Sequence, residues 1–356
     1  MQPAGPWPDR EIRDVFTFSG KRHHLTMNRQ LNLFEGASPA RQSAATAVSP
    51  SEISSEERDL SRLLSSHIRL GTSSWHFPGW RGLMWNDTYL PGDLSRYGLP
   101  AYATHPLLRA VGLDRSFYAP LPARQYAIYA AQVPQDFRFL VKAPGAITSA
   151  WEYLDNGQRT ANSRFLDLPW AIDQFVAPAV EGLQSRAGPL LFQFPPLGRA
   201  MTRAPGRFIA QLHDFLAGLP KGPLYAVEMR DDRLINRRFF TTLHETGVRY
   251  CISVHPRMPA VAAQAAAMSG FGLGPLVIRW NLQPGHTYEE AKKRFTPFDQ
   301  LIAEDTATRE SIAQLCAGFA GAGQDCYVIV NNKAEGCAPL SVMRLGEEIV
   351  GRMRER

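Results

Sequence analysis

A chain of 356 residues, 44% hydrophobic and 20% charged, has room for one large α/β domain plus an appendage. No run approaches the roughly 18–20 apolar residues of a membrane span, and Cys251, Cys316, Cys326 and Cys337 contain no CxxC pair, which argues against a disulfide framework or a zinc finger. The formal charge of +6 suits an anionic partner, and equally suits arginine used for solubility.

The start, Met1-Gln2-Pro3-Ala4-Gly5-Pro6, has neither a basic n-region nor an apolar h-region, which predicts a cytoplasmic address. Residues 1–66 read as a largely disordered arm. From Gly36 to Glu57 the chain is small, polar and short of aromatic or β-branched side chains, so it buries too little apolar surface to offset its ordering entropy. A short helix at Glu57–Leu64 leads out of the arm. One apolar cluster interrupts it: Gln30-Leu31-Asn32-Leu33-Phe34 is similar to the peptide with which bacterial replication and repair proteins bind the DNA sliding clamp. In that reading Leu33 and Phe34 are apolar anchors for a groove, Gln30 hydrogen-bonds at its edge, and Leu31 belongs to the same partner-binding stretch. The other reading is a strap that docks on the chain's own domain.

From His67 onward, eight apolar runs read as strands: Ile68–Ser73, Leu108–Asp114, Phe137–Lys142, Pro189–Phe194, Leu224–Met229, Arg249–Val254, Pro275–Trp280 and Cys326–Asn331. Continuous apolar runs are what strands covered on both faces require. Helical segments alternate with them at Ala123–Gln132, Trp170–Arg186, Pro205–Ala217, Asn236–Thr246, Pro259–Met268, Thr306–Ala320 and Pro339–Met353. Pro205 and Pro339 mark first turns, and Gly188, Gly247 and Gly321 follow last ones. This rhythm predicts a single (β/α)8, TIM-barrel-like α/β domain over residues 67–356. A doubly wound sheet is the alternative, but it would carry a glycine-rich phosphate turn after the first strand, and Thr72-Ser73-Ser74-Trp75 is no such turn.

Several landmarks occur in order: Leu70-Gly71-Thr72-Ser73-Ser74-Trp75, Pro78-Gly79-Trp80-Arg81-Gly82, Phe117-Tyr118, Val141-Lys142-Ala143-Pro144, Gly188 to Pro196, Ala226 to Arg230, Val277-Ile278-Arg279 and Asn331-Asn332. With these the chain resembles the YecE-like family, a domain of unknown function, over about residues 68–350. The resemblance implies a TIM-barrel-like fold and brings no established reaction. Where relatives usually have Val-Glu-Ile-Asn on the second strand, this chain has Val111-Gly112-Leu113-Asp114.

A (β/α)8 barrel builds its site from the C-terminal ends of its strands. Lys142, Gln193, Glu228, Arg230, Arg279, Asn331 and Asn332 fall there, with Asp114 and His255 nearby. Glu228 reads as a general acid or base, or as a buried ion pair with Lys142 or Arg279. Lys142 reads as a Schiff-base nucleophile or a phosphate ligand. Arg230 and Arg279 offer forked donors for carboxylate or phosphate, or salt bridges to Glu228, Asp231 and Asp232. Gln193, Asn331 and Asn332 supply neutral donors and acceptors, although paired asparagines also build turns. Trp75, Trp80, Phe117 and Tyr118 are flat walls for a base or sugar, or simply core.

The histidines are scattered, with no HExxH pattern, so neither a metal nor a cofactor is expected. The first functional reading is an enzyme for an anionic substrate, phosphorylated or nucleic-acid-derived: a hydrolase, lyase or isomerase using acid/base catalysis. The alternatives are a non-catalytic nucleic-acid-binding module and a carbohydrate or small-metabolite enzyme unrelated to DNA.

Overall fold

Residues 47–153 and 158–355 are described by the computed structural model. The eight apolar runs become parallel strands that close into a barrel in this order: β1 (Ile68–Thr72), β2 (Leu108–Leu113), β3 (Arg138–Lys142), β6 (Ala187–Phe194), β7 (Tyr225–Met229), β8 (Arg249–Val254), β9 (Leu276–Trp280) and β10 (Cys326–Val330), which returns to β1. Between β3 and β6 a small antiparallel hairpin intervenes, β4 (Trp151–Tyr153) and β5 (Arg159–Ala161). The strand count and order match the expectation, and each boundary moves by no more than two residues.

Side chains alternate between the two faces of a strand, so residues two apart share a face. One set, Ala110, Leu140, Leu191, Ala226, Cys251, Val277, Tyr327 and Ile329, packs as its own small cluster inside the barrel. The complementary set, including Val111, Phe139, Phe192, Val227, Ile252, Ile278 and Val328, faces outward into the much larger core beneath the helices. Two residues beyond the interior cluster stand Gly112, Lys142, Gln193, Glu228, Ser253, Arg279 and Asn331. Alternation therefore brings these residues into one layer at the C-terminal mouth. The register agrees, pairing Gln193 with Glu228 and Ser253 with Arg279.

Close backbone approach is needed where β1 meets β2. A Cβ on Gly71 would lie 2.0 Å from the Ala110 carbonyl oxygen, and the register slips between Leu70 and Gly71.

Three local features depart from the sequence reading. The segment expected as one helix at Trp170–Arg186 is broken into Leu168–Ala171, a π turn at Ile172–Val176, Ala177–Leu183 and a final 3-10 turn at Gln184–Arg186. Pro178 cannot donate to the helical ladder, and the π turn directly before it accommodates the break. Helices also form at Pro91–Tyr102, despite Pro100, and at Tyr288–Phe295, where Thr287 and Glu290 make a capping box. Finally, residues 47–66, read as the end of the arm, pack on the barrel. Ser51 donates its amide to Met84, Val48 is buried, and a helix at Ser55–Leu63 opens on a Ser54/Glu57 capping box, with Leu60 and Leu64 against Gly346. Residues 30–34 lie outside the described residues.

Candidate functional site

Glu228 organises the mouth. It is 0% exposed, and its two oxygens are fully engaged: Oε1 accepts from Ser253 Oγ at 2.9 Å and pairs with Arg230 Nη2, while Oε2 accepts from Arg279 Nη1 at 2.8 Å. Burial alone would push this carboxyl up, but Arg230 and Arg279 reverse that and hold it down at about 2. At neutral pH Glu228 is an anion clamped between two cations.

Arg279, on β9, extends the network to the ends of two further strands, β6 and β2. Its Nη1 also donates to Gln193 Oε1 at 3.1 Å, and its Nη2 faces Asp114 Oδ2 at 3.5 Å. Burial would lower its pKa, yet Glu228 and Asp114 raise it, so the guanidinium is permanently charged. Asn281, just past β9, donates to the Arg279 carbonyl at 3.2 Å and to Ser253 Oγ at 3.3 Å. Gln264 on the helix Val261–Met268 pins the end of β8 from behind, accepting from the Ser253 amide and donating to the Ser253 carbonyl.

Lys142 ends β3 under different conditions. Its Nζ lies 3.6 Å from the Phe117 ring centroid, and no carboxylate comes within ion-pairing distance among the described residues. Gly145 makes that stacking possible, since a Cβ there would press on the Phe117 ring at 3.1 Å. Desolvation lowers the Lys142 pKa to about 8, with Asp114 opposing and Arg279 assisting. His255, after β8, is driven down to about 4 by burial and by Arg230, which leaves its imidazole neutral. Among the described residues the network at the mouth thus joins three cations, Lys142, Arg230 and Arg279, to two carboxylates, Asp114 and Glu228.

Other expected residues are placed differently. Asn331 belongs to the mouth and donates to Ser73 Oγ at 2.9 Å. Tyr118 stands at the rim, 40% exposed, its hydroxyl raised to about 12 by burial, Asp114 and Tyr288. Trp75, Trp80 and Asn332 serve the scaffold. Trp80 is buried against Phe77 and Trp85 and donates to Asn332 Oδ1, which also accepts from the Ala338 amide and so holds the start of the last helix. Trp75 is buried edge-on to Tyr129. All three are buried.

Ser253, Asn281 and Gln264 carry parts of the site that the sequence reading did not name. Ser253 was findable, since it lies two residues beyond inward-facing Cys251 on the same strand face. Gln264 was not, because nothing in a helix of small residues announces that one amide will reach a neighbouring strand. Lys333, beyond β10, lies 4.2 Å from the Tyr288 ring centroid, and burial, with Lys292, lowers it to about 8. Among the described residues no three His, Cys, Asp or Glu side chains are grouped to hold a metal ion, and no helix is long and apolar enough to cross a membrane.

A sequence profile for the family described as "Protein of unknown function DUF72" matches residues 69–355. The chain belongs to the DUF72 family. The family assignment agrees with the YecE-like resemblance of the ordered motifs. The UPF0759 protein YunF of Bacillus subtilis is 33% identical over 116 residues, 32% of this chain and 38% of that protein. The match thus spans well under half of that relative's length. Among solved structures, a DUF72 family protein from Enterococcus faecalis superposes with a TM-score of 0.56 at 18% identity, covering 79% of this chain and 95% of that one. Another from Thermotoga maritima gives 0.52 at 18% identity, covering 81% and 99%. At such identities the likeness establishes the shared barrel, and the chemistry of this DUF72 chain rests on its own side chains.

Proposed function

We propose that this DUF72 barrel is an enzyme for a small anionic substrate, a phosphorylated compound foremost, bound at the C-terminal mouth. The observation that carries the reading is the excess of cations there. Arg279 and Arg230 are held in place by Glu228, and Lys142 adds a third positive group with no carboxylate at ion-pairing distance among the described residues. In this reading Glu228 positions the two arginines, since a carboxyl held near 2 exchanges no proton at neutral pH. Gln193 and Asn331 orient the substrate, Tyr118 walls the rim, and Asp114 is the carboxylate left to move protons.

Calorimetric titration with inorganic phosphate and a panel of sugar phosphates tests the reading. Arg230→Gln removes one guanidinium while Arg279 still pairs with Glu228, and it is expected to weaken phosphate binding about 10- to 100-fold, as loss of a charged hydrogen-bonding partner implies. A change below twofold in a folded variant sinks the proposal. Oligonucleotide binding that falls steeply with salt, without any phosphate site, would instead support the nucleic-acid-binding module.

We further propose that Gln30-Leu31-Asn32-Leu33-Phe34 tethers the enzyme to the sliding clamp, on the strength of its anchor spacing alone. A labelled peptide covering residues 26–38 is expected to bind purified clamp and to lose binding when Leu33 and Phe34 become Ala. Absence of binding by the unaltered peptide would end that idea.

A further inference from the structure

Lys142 stands in the wall of the mouth at the end of β3, and its surroundings set the reactivity of its amine. Its amine closes β3 with the strand end fixed on two sides: Ser116 Oγ donates to the Lys142 carbonyl at 2.6 Å, and the Ala143 amide donates to Leu191 at 2.8 Å. Phe117 covers the amine, and the residue is 9% exposed. The charged groups facing it are Asp114 beyond β2, Glu228 and Arg230 at the end of β7, and Arg279 on β9. The carboxylate among them that is pinned hardest, Glu228, is already neutralised by both arginines. An amine so covered, and so poorly paired, sheds its proton far more readily than a surface lysine.

We propose that Lys142 forms an imine with a small aldehyde or ketone that also carries an anionic group. This rests on the anion-binding reading above and extends it to the substrate's reactive carbon. The amine lone pair attacks the carbonyl carbon, making a C–N bond as the C=O electron pair moves to oxygen. That oxygen takes up a proton, giving a carbinolamine. Both hydrogens of the amine are lost overall with the carbonyl oxygen as water, leaving C=N, and no oxidant or reductant is consumed. Asp114, partly open to the mouth and with Oδ1 unpartnered, is placed to shuttle these protons. Arg230 and Arg279 hold the anionic group while the carbonyl meets the amine.

The chain suits a chemical test because it has only six lysines: Lys21, Lys142, Lys221, Lys292, Lys293 and Lys333. Full-length protein would be incubated with glycolaldehyde phosphate or with uncharged glycolaldehyde. Sodium borohydride then delivers hydride to any C=N bond, and the stable adducts are mapped by peptide mass spectrometry. Lys142 is expected to be trapped at least tenfold faster than Lys221, Lys292 or Lys293, with a midpoint near pH 8, where ordinary lysines titrate at about 10.4. Lys333, also lowered to about 8 but stacked on Tyr288, is the internal control for reactivity from burial alone. Trapping at Lys333 in preference to Lys142, or spread evenly over the lysines, overturns the proposal. The charged probe separates the two readings. Selective trapping of Lys142 by both probes at equal rates keeps the imine and removes the anion site, whereas phosphate binding without trapping at Lys142 does the reverse.

Discussion

Glu228→Gln is expected to lower the free energy of unfolding by about 3–5 kcal/mol, read from the urea midpoint at unchanged slope. The substitution keeps the shape of the side chain and removes its charge, leaving Arg230 without its anion and Arg279 with only the longer contact to Asp114. Uncompensated buried charge costs far more than loss of a surface pair. The pH dependence follows from the depressed pKa. A carboxyl held at about 2 in the folded chain, against an ordinary 4.5, contributes stability that is complete above about pH 4.5 and is lost as pH falls towards 2. The gap between parent and variant should therefore be flat from pH 7 to 5 and should close below that. A gap under about 1 kcal/mol at pH 7, or one unchanged down to pH 2, would show that Glu228 is not the clamp described. Replacing Glu228, Arg230 and Arg279 together by Leu, Met and Met is expected to recover much of the loss, because a buried ion pair seldom outperforms an apolar replacement. That triple variant would keep the barrel and lose phosphate binding.

Gly71→Ala tests the closure of the barrel. A methyl group at this position would lie 2.0 Å from the Ala110 carbonyl oxygen and 2.5 Å from its carbon, both backbone atoms of the paired strand. Backbone cannot swing aside as a flexible side chain does, so β1 and β2 must separate where their register already slips. A loss of about 3 kcal/mol or more is expected, at the upper end of overpacking effects. Measured destabilisation below about 1 kcal/mol would mean that the two strands are not held in this register. The chemistry at the mouth should suffer as well, because Ser73, two residues further on, is the partner of Asn331.

Legibility in the sequence tracked how local each signal is. Barrel strands are covered on both faces, so Leu190-Leu191-Phe192 or Val277-Ile278 stands out as an apolar run with a polar residue after it. That placed Gln193, Glu228, Arg279 and Asn331 at the strand ends correctly, since strand position and pleat alternation are properties of one short segment. Helix breaks were less visible: Pro178 changes the hydrogen-bonding pattern only because its neighbours continue the helix on both sides. The segment 47–66 reads as unable to fold alone, and in the structure it packs against the barrel. Val48, Leu60 and Leu64 become useful apolar side chains only against a barrel that already exists.

The sequence by itself determined the eight-stranded parallel barrel, the family, and the strand-end positions of Lys142, Gln193, Glu228, Arg279 and Asn331, because periodicity and ordered motifs are written along the chain. Only the tertiary structure decided what those residues do to one another. It gave Glu228 to two arginines, turned Asn332 and Trp80 into supports for the last helix, and left Lys142 under Phe117 with no carboxylate within 4 Å among the described residues. Charge state, burial and partnership are set by distances between segments scattered from Ser73 to Asn331 along the chain. Coulomb and desolvation energies depend on those distances and on no property of any single segment.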